Sequence, residues 1–90
     1  MNYHELCEEH IDKFHSPYLL ELYNFCTSEL QKCVEQVNNP LCKDLRMHYY
    51  SKFFGILTVL NKLCELYVDT ATDEVFMKWY SWFIGETGEV

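Results

Sequence analysis

His4, Cys7 and His10 are the first side chains of this chain that could ligate a metal. On a helix, however, their i, i+3, i+6 spacing rotates steadily off any one face. They also lack the loop-borne Cys or His pairs that structural zinc sites use. Asp12 with His15 and Asp44 with His48 each set a carboxylate near an imidazole, yet a di-iron bundle needs paired Glu-x-x-His motifs and the chain contains none. Cys42 falls in the first turn of an expected helix beside Lys43, where a thiol pKa drops, but the sequence holds no acid or base against it. Gly55, Gly85 and Gly88 cannot build a phosphate-cradling loop. No metal, cofactor or catalytic centre is expected, and with them no enzyme, so the chemistry to look for is that of surfaces.

Two surfaces stand out. Glu5, Glu8, Glu9 and Asp12 repeat at i, i+3, i+4, i+7, which makes one acidic stripe on a first helix and a docking strip for a basic partner. Near the other end, VFMKWYSWFI carries Val75, Trp79 and Trp82 on one stripe and Phe76, Tyr80 and Phe83 on another. Aromatic residues are 17% of the 90, more than so short a chain can cover, so some of these rings should meet a partner. The candidate partner-binding residues are therefore Glu5, Glu8, Glu9, Asp12, Phe76, Trp79, Tyr80 and Phe83.

The elements that must carry these surfaces follow from periodicity and punctuation. Asn2, three residues before Glu5, has the form of a capping box, and Tyr3, Cys7, Ile11 and Phe14 continue at helical spacing. Ser16-Pro17 restarts the chain as N-cap and first helical residue. Leu19, Tyr23, Cys26, Leu30, Cys33 and Val37 then form a heptad seam for a nearly antiparallel neighbour, widened by Leu20, Leu22 and Phe25. Pro40 opens a long central helix with Leu41, Leu45, Tyr49, Phe53, Ile56, Leu60, Leu63 and Tyr67 as its main stripe. Thr58, Asn61, Lys62 and Glu65 make a narrow polar one, and Gly55 is where that helix would kink. Thr70 before Asp73 reads as a second capping box, and Gly85 as the stop of the last helix. The expected fold is all-α: one domain, a four-helix bundle with helices at about 3–15, 17–38, 40–68 and 71–84, and a tail at 86–90.

The net charge of −7 disfavours direct binding to nucleic acid or to an anionic membrane surface. The central segment, with Lys43, Arg46, Lys52 and Lys62, is a basic element among acidic neighbours. Five cysteines without a Cys-x-x-Cys pair suit a reduced, cytoplasmic protein. The function expected is that of a small acidic helical module, an inhibitor or adaptor that binds a larger protein through a basic or aromatic-accepting surface. A phage or mobile-element origin, with action in a host cytoplasm, fits such a chain by compositional analogy. Two other readings stand beside it. One is a DNA mimic occupying a nucleic-acid enzyme. The other is a homodimer that buries the Phe76, Tyr80, Phe83 face or the Leu19–Val37 stripe.

Overall fold

Helix α3 (Arg46–Tyr67) lies between α2 (Pro17–Val37) and α4 (Glu74–Thr87), and the short α1 (Tyr3–Glu8) rests on α2 and α4. This is the arrangement in a computed structural model that describes residues 1–88. The architecture is an all-α bundle of 40 × 24 × 20 Å, with no strand among the described residues. Phe53, Leu57 and Leu60 of α3 are fully buried, and each contributes about 1.5–3 kcal/mol by leaving water. Tyr23, Cys26, Leu30, Cys33 and Val37 of α2 are buried with them, so the heptad seam is the internal contact with α3 and is not available to a second copy. Leu22 and Phe25, expected to widen that seam, lie outside it and are exposed.

The first helix is shorter than its apolar spacing predicts. α1 ends at Glu8, His10 leaves helical geometry at φ −123°, ψ 2°, and a 3-10 turn covers Ile11–Lys13. The reason is Tyr23, whose buried hydroxyl lies 2.8 Å from the Cys7 carbonyl and 3.3 Å from that of Leu6 and donates to them. A continued helix would offer those same carbonyls to the amides of His10 and Ile11. The chain turns instead, which carries Phe14 into the core against the Tyr23 ring at 5.0 Å. The Asn2 side chain caps α1 by accepting from the Glu5 amide at 2.9 Å, and Ser16 caps α2 with Pro17 following it.

The central helix also differs at its start. Pro40–Leu45 is a 3-10 segment with Cys42 at φ −104°, ψ 20°, and the α-helix begins only at Arg46. Leu41 and Leu45 are exposed rather than part of the core, so no burial draws this turn into an α-helix. From Arg46 the helix is continuous through Gly55, where an added Cβ would meet open space. Of the two courses Gly55 left open, continuous or kinked, the helix takes the continuous one, and the departure from α geometry sits well before it, at Cys42.

One edge of the polar stripe of α3, Asn61 and Glu65, faces α4, while Thr58 and Lys62 stay in solvent. Asn61 is only 7% exposed. Its Oδ1 accepts from the Phe76 amide at 3.0 Å, and its Nδ2 donates to Glu65 Oε2 at 2.8 Å and to Asp73 Oδ1 at 3.3 Å. Glu65 Oε2 also accepts from the Asp73 amide at 2.9 Å. The start of α4 is thus capped by α3, not by Thr70, whose hydroxyl is buried without a hydrogen-bond partner among the described residues. α4 begins at Glu74 because Asp73 is left-handed, φ 58°, ψ 12°. It also runs past Gly85. Asn38 Nδ2 donates to the Glu86 carbonyl at 3.0 Å, and Gly88 at φ 73° ends the helix by donating to Ile84 O at 3.0 Å. Glu86 and Thr87, expected in a tail, are helical; residues 89–90 lie outside the described residues.

Asn61→Ala should therefore cost about 1–3 kcal/mol in urea unfolding, because it leaves the part-buried Phe76 amide without its acceptor. Tyr23→Phe should lose roughly 1–2 kcal/mol, with the far-UV helical signal otherwise kept. An Asn61→Ala variant as stable as the parent would remove the cap from this description.

Candidate interaction site

The eight candidate residues separate into three environments. Glu5 and Glu8 are exposed on α1, and Asp12 is exposed on the 3-10 turn that follows. The break at His10 takes Asp12 off the α1 helical repeat, so the four carboxylates do not form one continuous stripe. Glu9 is half-buried and accepts a hydrogen bond from Lys78 Nζ, which ties α1 to α4 and holds the lysine pKa above its ordinary value. Three carboxylates, Glu5, Glu8 and Asp12, thus remain exposed.

The aromatic residues of α4 divide between core and rim. Trp79 and Phe83 are buried, at 2% and 3% exposure, and belong to the core rather than to a free surface. Trp79 meets Tyr3 of α1 at 5.9 Å, and Phe83 packs on Phe53 with ring centroids 4.2 Å apart. Phe76 and Tyr80 are half-buried and stacked at 6.3 Å with an interplanar angle of 14°. Phe54 of α3 joins them, 5.6 Å from Tyr80 and 6.3 Å from Phe76. Offset and tilted contacts of this kind are the ones aromatic pairs favour.

Tyr80 opens onto a groove of about 580 Å³ between α3 and α4, lined by Met47, Tyr50, Ser51, Phe54, Tyr80, Phe83 and Ile84. The lining is mainly apolar, with the Tyr50 and Tyr80 hydroxyls and Ser51 as its polar points. Arg46 Nη2 donates to Tyr50 Oη at 2.9 Å and its guanidinium lies 5.7 Å from that ring. A groove of this size has room for one or two large side chains. Sequence reasoning missed Met47, Tyr50, Ser51 and Ile84. Met47, Ser51 and Phe54 repeat at i, i+4, i+7, a signal obscured because Met47 and Ser51 are not part of the strong apolar stripe. The groove and the acidic end lie on opposite flanks of α4, since Lys78 and Trp82 face α1 while Tyr80 and Ile84 face α3.

The remaining chemically capable side chains are dispersed. Among the described residues no three His, Cys, Asp or Glu side chains come together in a way that could hold a metal ion. The cysteines are free thiols, and burial pushes Cys7, Cys26 and Cys33 up and Cys64 up to about 12. Cys42 Sγ donates to Gln36 Oε1 at 2.9 Å. His10 is the exception in kind, because it is buried with neither ring nitrogen hydrogen-bonded among the described residues. Desolvation lowers its pKa, opposed by Glu9 and Glu74 and reinforced by Lys13 and Lys78.

A histidine whose folded pKa lies below its unfolded value near 6.5 takes up protons preferentially in the unfolded chain. Its contribution to stability is complete above about pH 6.5 and declines as pH falls toward the lower folded value. Urea midpoints should therefore drop between neutral and mildly acid pH, and His10→Phe should flatten that segment of the curve. Glu65, held below its ordinary value mainly by the Asp73 amide, acts in a separate, more acid window. A midpoint that rises on acidification through the histidine range would contradict the buried neutral imidazole.

No protein family, curated protein or solved structure matches this chain significantly, so the surfaces described above are what a functional reading rests on.

Proposed function

We propose that this protein is a small acidic protein–protein interaction module, an inhibitor or adaptor that docks a segment of a larger protein in the groove between α3 and α4. The single observation that carries the reading is that groove, an apolar trough whose walls are two helices fixed to each other by the Phe53–Phe83 contact and the Asn61 cap. A preformed trough binds without first ordering itself, and so retains more of the contact energy as affinity. Docking in this mode places an anchor side chain of the partner, aromatic or branched aliphatic, against the packed rings of Phe54 and Tyr80.

Glu5, Glu8 and Asp12 supply a second, electrostatic element on the far flank of α4. Basic residues of the partner that reach this end raise the association rate more than the final affinity, and the effect weakens with salt. The charge of −7 and the basic residues along α3 leave a less uniform field than a DNA mimic requires, so the protein-docking reading is preferred. Action on a host protein by a phage or mobile-element product is an extension of it by analogy of size and composition.

Peptides selected from a random library on the immobilised protein test this directly. They should carry an aromatic or large aliphatic anchor, shift the resonances of Phe54 and Tyr80, and bind about tenfold or more weakly to Met47→Glu. Triple reversal Glu5→Lys, Glu8→Lys, Asp12→Lys should slow association of basic peptides and reduce its salt dependence while the groove contacts persist. Selected peptides that perturb other residues and ignore Met47→Glu would remove the groove from the proposal.

A further inference from the structure

The face of the molecule formed by α2 and α3, away from α4, is more apolar than its position outside the core explains. Tyr18 is 83% exposed, Phe25 59% and Leu66 61%, with Leu22 and Val59 also in solvent. Leu22, Phe25, Cys26, Lys52, Gly55, Ile56 and Val59 line a shallow cleft of about 360 Å³ along it. Gly55 has open space where its Cβ would be, so the α3 wall of the cleft has a notch at its centre, facing the exposed Phe25 ring on the α2 wall. Isolated exposed apolar residues are ordinary, but a row of this length on two adjacent helices marks an interface.

We infer that this face binds a second copy of the same chain, with α2 of one protomer lying on α3 of the other. Charge selects both the occupant and its orientation. The cleft sets residues 22–26 level with residues 52–59. Because α2 and α3 are joined by a short connection and run antiparallel, Glu29 then lies level with Lys52 and Glu21 level with Lys62. A two-fold axis parallel to the helices keeps these levels and stacks α2 on the partner's α3. Glu29 of each protomer meets Lys52 of the other, Glu21 approaches Lys62, and Phe25 enters the Gly55 notch. An axis perpendicular to the helices instead stacks α2 on α2, which opposes Glu21 to Glu29 and, on the other helix, Lys52 to Lys62. The first arrangement sets Glu29 and Glu21 against lysines around an apolar centre; within their own chain Glu29 and Lys62 already lie 3.9 Å from Lys32 and Glu65, i,i+3 pairs of the weak surface kind that an interface partner can replace.

The dimensions suffice. One long face of a 40 × 24 × 20 Å molecule can supply the ~800 Å² per partner that stable interfaces bury. The α3–α4 groove and the acidic end lie on other sides of the bundle, so a dimer presents two copies of each docking surface.

Sedimentation of the full chain over a concentration series should show reversible conversion from the 10.8 kDa chain to a species of twice that mass. Phe25→Asp, at a position already in solvent, should raise the dimer dissociation constant by about 30-fold or more without lowering helicity. Glu29→Lys and Lys52→Glu should each weaken self-association. Mixing the two variants should restore it, because the mixed dimer then carries one pair with its charges exchanged and one original pair, both of opposite sign. A chain that stays monomeric throughout the series overturns the inference, as does a dimer indifferent to Phe25→Asp. A dimer strengthened by Glu29→Lys overturns the orientation, since only α2-on-α2 stacking gains from that change.

Discussion

The buried amide of Asn61 is the polar contact on which the placement of α4 depends. A helix N-terminus carries amides with no intrahelical acceptor, and one pressed against an apolar neighbour needs those amides satisfied. Asn61 supplies the acceptor for Phe76 while Glu65 supplies that for Asp73, so α3 caps α4 from the side. The same bonds fix the axial position of α4 along α3. That register sets Phe83 against Phe53 and Tyr80 beside Phe54, and so shapes the groove. Left-handed Asp73 is tolerated because aspartate is among the residues least opposed to that geometry and its carboxylate is itself held by Asn61.

α1 is attached differently. Its hold on the bundle consists of the Tyr23 hydroxyl, the Glu9–Lys78 pair and the rings of Tyr3, Trp79 and Trp82. Two of these contacts reach α4, so the acidic end is only as well placed as α4 is. His10, buried without a hydrogen bond between α1 and the following turn, makes that attachment sensitive to proton concentration. The molecule therefore combines a rigid α3–α4 trough with a peripheral acidic segment.

The helical class, the helix count and the α2–α3 seam are legible in the sequence because apolar period and capping residues agree there. Asn2, Ser16-Pro17 and the Asn38–Pro40 break each do locally what their types prescribe. Three of the departures share one cause, a tertiary partner that overrides a local signal. Tyr23, distant in sequence, takes the carbonyls that would have continued α1. Asn38 takes the Glu86 carbonyl and lets α4 pass Gly85. Asn61 and Glu65, which read as a solvent stripe, are turned inward to cap another helix. At the site, Phe76 and Tyr80 lie half-buried on the rim, whereas Trp79 and Phe83 are needed by the core. The groove's other wall comes from Met47 and Ser51, whose types carry little periodic signal. The exposed row of Tyr18, Leu22 and Phe25 escaped because it lies one residue ahead of the true seam at Leu19, Tyr23 and Cys26, and a heptad read from sequence does not say which adjacent stripe is covered.

Amide hydrogen exchange at Phe76 reads the Asn61 cap on α4 without a mutation. An amide in the first turn of a helix ordinarily exchanges fast, for want of an intrahelical acceptor. If the Asn61 side chain caps α4, the Phe76 amide should exchange slowly, with protection approaching that of the interior of α3, and should lose it in Asn61→Ala. Exchange at the rate of an unprotected amide in the parent protein would contradict the cap, and with it the fixed register that shapes the groove.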